Sequence, residues 1–196
     1  NKITFDVNDF VITPNSTWHE HGVDTNGKTC IWQDGLDIPL VNALEANDYA
    51  VFDGKQPLEV PLNNSPINYG TAGIIPADKV WDKPYSPLFK YSWSKVYPAL
   101  IEASKSNDIN PIDGVFMQYS NPMTGGHVMQ TMGASMQLLP AGFKGKAHKH
   151  TGSFVYQCAK GKGYSIIDGK RFDWKERDIF CVPSWAWHEH HNASET

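Results

Sequence analysis

His148-Lys149-His150 and two copies of Trp-His-Glu-His, at 18–21 and 187–190, hold the most chemically capable side chains in this sequence. Residues two apart on a strand face the same way, so His148 and His150 can offer their imidazoles to one ion. His188, on a later strand, is the natural third donor. Three neutral imidazoles suit Zn(II), Fe(II), Cu(II) or Ni(II), and they leave coordination positions open for a substrate. An isolated His-x-His more often solvates a sheet edge, so what surrounds this one decides its role.

The doubled motif supplies that context. "DFVITPNSTWHEH" and "DIFCVPSWAWHEH" align at an offset of 169 residues, with identities at Asp9/Asp178, Pro14/Pro183 and all four residues of the motif. Such a period is far too long for a solenoid and points to two copies of one domain-sized unit. At the same offset the first copy's His-x-His pair would fall at about −21 to −19. The chain is therefore expected to enter its first unit near the final strands, and to stop short at the C-terminus as well.

Strands must position these histidines. "SMQLLPAG" alternates and then breaks, and "SFVYQCAKGKG" is β-branched and aromatic before glycines. "YSIIDGKRFDW" reads as a hairpin about Asp168-Gly169, and "DIFCVPSWAWHEH" as a strand, a Pro turn and a strand start. Short strands at this spacing imply a sandwich or small barrel, and 3–33 is expected to repeat the last part of the pattern. "SWSKVYPALIEASKSND" is the one convincing helix, about 94–106, with Ser94 as cap and Pro98 in the first turn. The organisation expected is a remnant of a first barrel over 1–50, an irregular linker with one helix over 51–115, and a second barrel over 116–196.

Composition narrows the classes. The 196 residues are 40% hydrophobic with a net charge of −4 and no block of like charge, so nothing marks a nucleic-acid surface or a polybasic membrane patch. No apolar run reaches spanning length and no signal-peptide pattern opens the chain. Cys30, Cys158 and Cys181 lack metal-type spacing and are expected to be reduced core thiols of a cytoplasmic protein. Trp18, Trp185 and Trp187 read as core or rim packing, and His127 as a loop residue. Gly161 and Gly163 read as turn formers, while His190 and His191 are able to bind a stray metal ion but are given no role in the site.

The spacing resembles the cupin family. Its first motif runs from Gly142 through His148-Lys149-His150 to Gly161, and its second places Pro183, His188 and Asn192 in register. Phe154 fills the slot of the usual glutamate ligand, and Arg177 and Trp185 fill two glycine slots. The resemblance implies an all-β jelly-roll barrel with a facial three-histidine centre.

"MQLLPAGFKGKAHKHTGSFVYQ", "FCVPSWAWHEH", "TWHEHG", "WQDGLDIPLV" and "SNPMTGGHVMQTM" together resemble the bicupin ring-cleaving dioxygenases that act on gentisate, salicylate and 1-hydroxy-2-naphthoate, gentisate 1,2-dioxygenase foremost. That resemblance implies Fe(II) in the first barrel with His19 as third ligand, and His21 and Asp34 near the substrate. The second barrel of the family is metal-free in some members and binds iron in others, and His148, His150 and His188 are its candidate metal ligands here. It also implies a small aromatic hydroxy-carboxylate and O2 as substrates, gentisate giving maleylpyruvate, and a homo-oligomer, tetrameric in the family. These 196 residues alone are expected to be inactive. The rival reading is a non-catalytic cupin that binds or merely builds.

Overall fold

The computed structural model describes residues 1–194 apart from 24, 25, 28, 55, 57–59 and 107. The chain divides into two units. The first comprises Asn1–Phe5, Asp9–Tyr91 and Ser120–Ala134, and the second Asp6–Asn8, Ser92–Tyr119 and Ser135–Thr196.

In the first unit β1 (Phe10–Val11) pairs antiparallel with β2 (Lys90–Tyr91), Phe10 opposite Tyr91. Between them lie two short helices, α1 (Ile38–Ala43) and α2 (Asn64–Tyr69). Pro39 in α1 suits a first turn, where the missing N–H costs nothing. Ile12, Tyr69, Leu88, Tyr91 and Val128 form the buried apolar set. Ser65 and Ser86 are buried with them and fully bonded: Ser65 Oγ donates to the Pro87 carbonyl at 2.8 Å and accepts from Phe89 N–H at 2.7 Å.

The second unit opens with α3 (Trp93–Ala103), which buries Leu100. Seven strands follow among the described residues. Two of them, β3 (Val115–Gln118) and β4 (Ser135–Leu138), pair antiparallel. A second pair joins β5 (Phe154–Gln157) to β8 (Ile179–Val182). A third sheet has the order β7 (Lys170–Lys175), β6 (Lys162–Ile167), β9 (His188–His191). Asp168 and Gly169 both have positive φ, 45° and 76°, which is what a two-residue hairpin between twisted strands requires. In β6 every second residue is buried, Gly163, Ser165 and Ile167, so one face looks inward. Ile167, Val182 and Ala186 pack with Tyr156 and Phe180, which closes the β5–β8 pair over the β7–β6–β9 sheet. This is the cupin architecture expected from the motifs.

Several expectations need correction. The described residues form three helices, not one: α1 and α2 are too short for periodicity to register. α3 begins at Trp93 behind Ser92, which makes no side-chain capping bond, and Pro98 sits inside the helix rather than in its first turn. Gly163 is not a turn residue but lies within β6. A Cβ there would fall 2.5 Å from the Trp174 ring and collide with the His191 carbonyl oxygen. The three cysteines are free, but Cys30 and Cys181 are exposed, not core. On β8 the inward face carries Phe180 and Val182, so alternation turns Cys181 outward.

The first copy of the repeat forms only the two residues of β1, and its Trp-His-Glu-His lies outside any strand. The second copy becomes β9 because β6 pairs with it. Among the described residues the first copy has no such neighbour. Its backbone nevertheless keeps the signature of the repeat. Arg177 and Trp185 stand in the glycine slots with φ of 75° and 64°, and Asn8 and Ser16, at the 169-residue offset, have φ of 66° and 56°. Left-handed backbone is uncommon for such residues, and costs an L-residue about 1–2 kcal/mol. Four matched occurrences mark one turn geometry used twice.

Two substitutions should therefore move stability in opposite directions. Arg177→Gly, at an exposed left-handed position, should stabilise by a few tenths to about 1 kcal/mol once glycine's own entropy is deducted. Gly163→Ala should destabilise by about 1–3 kcal/mol through overpacking against β9 and Trp174. Urea denaturation of each variant against the parent chain checks both signs.

Candidate metal centre

The centre is built by backbone pairing. His148 N–H donates to the His188 carbonyl at 2.9 Å, and His188 N–H returns the bond to the His148 carbonyl at 2.8 Å. A reciprocal pair of this kind sets two residues directly opposite with side chains on one face. His150, two positions on, shares the face of His148, and its carbonyl accepts from Trp185 N–H at 2.8 Å. The left-handed turn at Trp185 brings that N–H round. Gly145 lets the same segment lie close to β9, since a Cβ there would meet the His190 carbonyl at 2.8 Å.

The three rings converge. Their centroids are 4.1 Å apart for His148–His188, 4.8 Å for His150–His188 and 5.7 Å for His148–His150. One ring nitrogen of each lies within 4.8 Å of the others, and among the described residues no other group of three His, Cys, Asp or Glu is so placed.

The second nitrogens are tied down. Nδ1 of His148, His150 and His188 faces the carbonyls of Lys146, Gly152 and Ala186 at 3.3, 3.0 and 2.9 Å. A carbonyl only accepts, so Nδ1 carries the proton and each Nε2 presents a lone pair. His188 is 1% exposed, and its Nε2 is buried without a hydrogen-bond partner. Burial holds the His188 pKa below the ordinary range, with His148 and His150 adding to the effect and the Ala186 bond opposing it. Oriented, neutral imidazoles with free Nε2 atoms are the donor set a divalent ion needs, and these three residues could hold one. Phe154, in the usual glutamate slot, lies against His150 with ring centroids 4.6 Å apart and brings no charge. Lys149 turns the other way, its Nζ 4.5 Å from the Trp185 ring and 4.8 Å from that of Trp187, so these tryptophans form an exposed rim.

The first copy is arranged differently. His19 and His21 are exposed, with ring centroids 5.5 Å apart, and His21 lies 5.1 Å from Trp32. Asp34 is exposed two positions beyond Trp32. The structure thus brings His19, His21 and Trp32 together, but among the described residues neither histidine joins further donors around one ion. His127 is an exposed loop residue outside the triad.

Sequence reasoning gave no role to His190 and His191, yet both are buried. His190 is 2% exposed and reaches Ser165 Oγ at 2.7 Å. Burial first, then the neighbouring imidazoles, push its pKa down to about 3. His191 stacks on Tyr164 and meets Glu189 at 3.0 Å. The available signal was alternation: on a strand, His190 must share the inward face of His188.

Residues 135–196 match the Cupin domain family. Over 99% of its length the chain is 37% identical to gentisate 1,2 dioxygenase 1 of Aquipseudomonas alcaligenes, covering 56% of that protein. It is 35% identical to a 5-aminosalicylate 1,2-dioxygenase of Comamonas sp over 94% of its length, covering 49% of that protein. The 1-hydroxy-2-naphthoate 1,2-dioxygenase of Nocardioides sp. (strain KP7) is 28% identical over 95% of the chain. A solved salicylate 1,2-dioxygenase from Pseudaminobacter salicylatoxidans superposes with a TM-score of 0.70 at 24% identity, covering 80% of this chain and 47% of that one, a likeness of fold. The chain spans about half the length of the curated relatives it matches. No helix among the described residues is long and apolar enough to cross a membrane.

The centre predicts stoichiometric uptake of one divalent ion, Fe(II) or Co(II), by the 196-residue chain. His188→Ala should weaken it by more than about 100-fold, beyond the usual cost of losing an outer-shell partner, whereas His127→Ala should leave it unchanged. Metal analysis after equilibrium dialysis checks this. Uptake should also fall in acid, because protons compete for the same lone pairs.

Proposed function

We propose that this chain, a cupin over residues 135–196, belongs to an Fe(II)-dependent dioxygenase that opens the ring of an aromatic hydroxy acid, with gentisate as substrate and maleylpyruvate as product. The observation that carries the reading is likeness to ring-cleaving dioxygenases along 99% of the chain, both copies of the repeat included. Salicylate and 1-hydroxy-2-naphthoate are the alternative substrates, since proteins named for related acids resemble the chain at similar identity.

The chemistry of the donors fits. A divalent ion would supply an uncompensated positive charge and open positions for carboxylate and phenolate oxygens. Neutral histidines preserve that charge, and a glutamate would reduce it. Phe154 in the second copy is consistent with this arrangement. In the first copy His19 is the proposed third iron ligand. The other two would form a His-x-His pair, which these 196 residues do not supply at the matching offset.

His21 is the proposed proton-transfer or hydrogen-bonding group for the substrate oxygens. Asp34 is proposed to lie near the substrate and to orient His21. Trp32, already against His21, gives that imidazole a wall to rest on. The substrate carboxylate and O2 are the partners this reading requires, and a homo-oligomer is the expected assembly.

The test is an Fe(II)-loaded assay with gentisate, salicylate and 1-hydroxy-2-naphthoate, following ring-opened product by absorbance. A chain extended at its N-terminus through the matching His-x-His pair should turn over at least one of them, and the 196 residues alone none. His19→Ala in the extended chain should abolish turnover. His21→Ala should lower kcat by about 100-fold or more, as loss of a general acid–base group does. Failure of the extended chain with all three acids refutes the dioxygenase reading and leaves a binding cupin.

A further inference from the structure

Proton accounting around His190 assigns the second barrel a ligand. The Trp174 indole N–H only donates, and it donates to Ser165 Oγ at 2.9 Å. Ser165 is fully buried, and its oxygen meets one other partner among the described residues, His190 Nδ1 at 2.7 Å. The serine proton therefore goes to Nδ1, because otherwise a buried hydroxyl proton would have no acceptor. With Nδ1 accepting, His190 carries its own proton on Nε2. That tautomer is opposite to the one the backbone carbonyls impose on His148, His150 and His188.

The Nε2–H of His190 is buried and has no hydrogen-bond partner. Its ring lies on the inward face of β9, 5.5 Å from that of His188. Tyr156 is 4.7 Å away and Phe180 6.0 Å, so the surroundings are aromatic. No carboxylate belongs to the nearby three-histidine group. A divalent ion there would have no carboxylate among its ligands; the half-buried Asp113 acts on His188 only through space, so an anion from outside would complete the charge balance. An orphaned donor beside an incompletely compensated cation calls for a ligand with two adjacent oxygens, one for each.

We propose that the second barrel binds a small carboxylate, one oxygen at the three-histidine centre and the other accepting from His190 Nε2–H. The site rests on the reading that His148, His150 and His188 hold a divalent ion. Its ligand is a monocarboxylate with an apolar body, suited to Phe154, Tyr156 and Phe180. Gly163 takes part indirectly: its missing side chain lets Trp174 lie over β6 and reach Ser165. Ser165 and Trp174 are positioning residues that act by fixing the tautomer of His190.

The experiment uses the 196-residue chain in two forms. In the Zn(II)-loaded, 15N-labelled chain, long-range ring spectra should show His190 protonated at Nε2 and the three ligand histidines at Nδ1. In the Co(II)-loaded chain, acetate should perturb the visible bands saturably and acetamide should not. His190→Phe should keep its Co(II) and lose at least about tenfold in acetate affinity, the size expected for a hydrogen bond to a charged group. Ser165→Ala, a milder change, should retain the ion and lose affinity several-fold. Failure to take up Zn(II) or Co(II) overturns the metal centre and the carboxylate site together. An ion taken up, with His190 protonated at Nδ1 or with acetate bound equally by wild type and both variants, overturns the role of His190 alone. If His190→Phe does not fold, the tautomer and Ser165→Ala decide.

Discussion

Two backbone hydrogen bonds between His148 and His188 hold the chemistry of this molecule in place. They join a short segment before β5 to the last strand, and no side chain takes part in them. Once that pair is made, strand alternation does the rest: His150 follows His148, and His190 follows His188, onto the same inward face. The remaining features tune nitrogens already placed. Carbonyls of Lys146, Gly152 and Ala186 hold the protons of three rings on Nδ1. Ser165 and Trp174 reverse that arrangement for the fourth.

The two copies of the motif differ because a strand is a property of pairs. The second copy runs into β9, His188–His191, between β6 and the segment carrying Lys144 and His148. Trp18-His19-Glu20-His21 has the same local preferences but no equivalent neighbours among the described residues, and its histidines are exposed. What the first copy retains is the turn. Asn8 and Ser16 repeat the left-handed backbone of Arg177 and Trp185. The side chains differ between the two copies at these positions while φ stays positive, so the left-handed turn does not depend on glycine there.

Much of this was legible in the residues. The histidine cluster and the Asp168-Gly169 hairpin followed from spacing and turn chemistry, and the cupin architecture from the resemblance of the motifs to that family. The short helices α1 and α2 did not, since six residues hold too few apolar positions to show a period. Cys181 was misplaced because an apolar run was read without asking which face each residue takes. Gly163 was misread because a glycine required by close approach looks, in sequence, like one required by a turn. His190 stayed without a role because its partners, Ser165 and Trp174, are brought to it only by strand pairing.

X-ray absorption at the metal edge of the Fe(II)-loaded 196-residue chain tests the central claim most directly. The account requires an inner shell with the multiple-scattering signature of three imidazoles, diminished by one in His188→Ala. A spectrum indistinguishable from hydrated Fe(II), in wild type as in the variant, would contradict it.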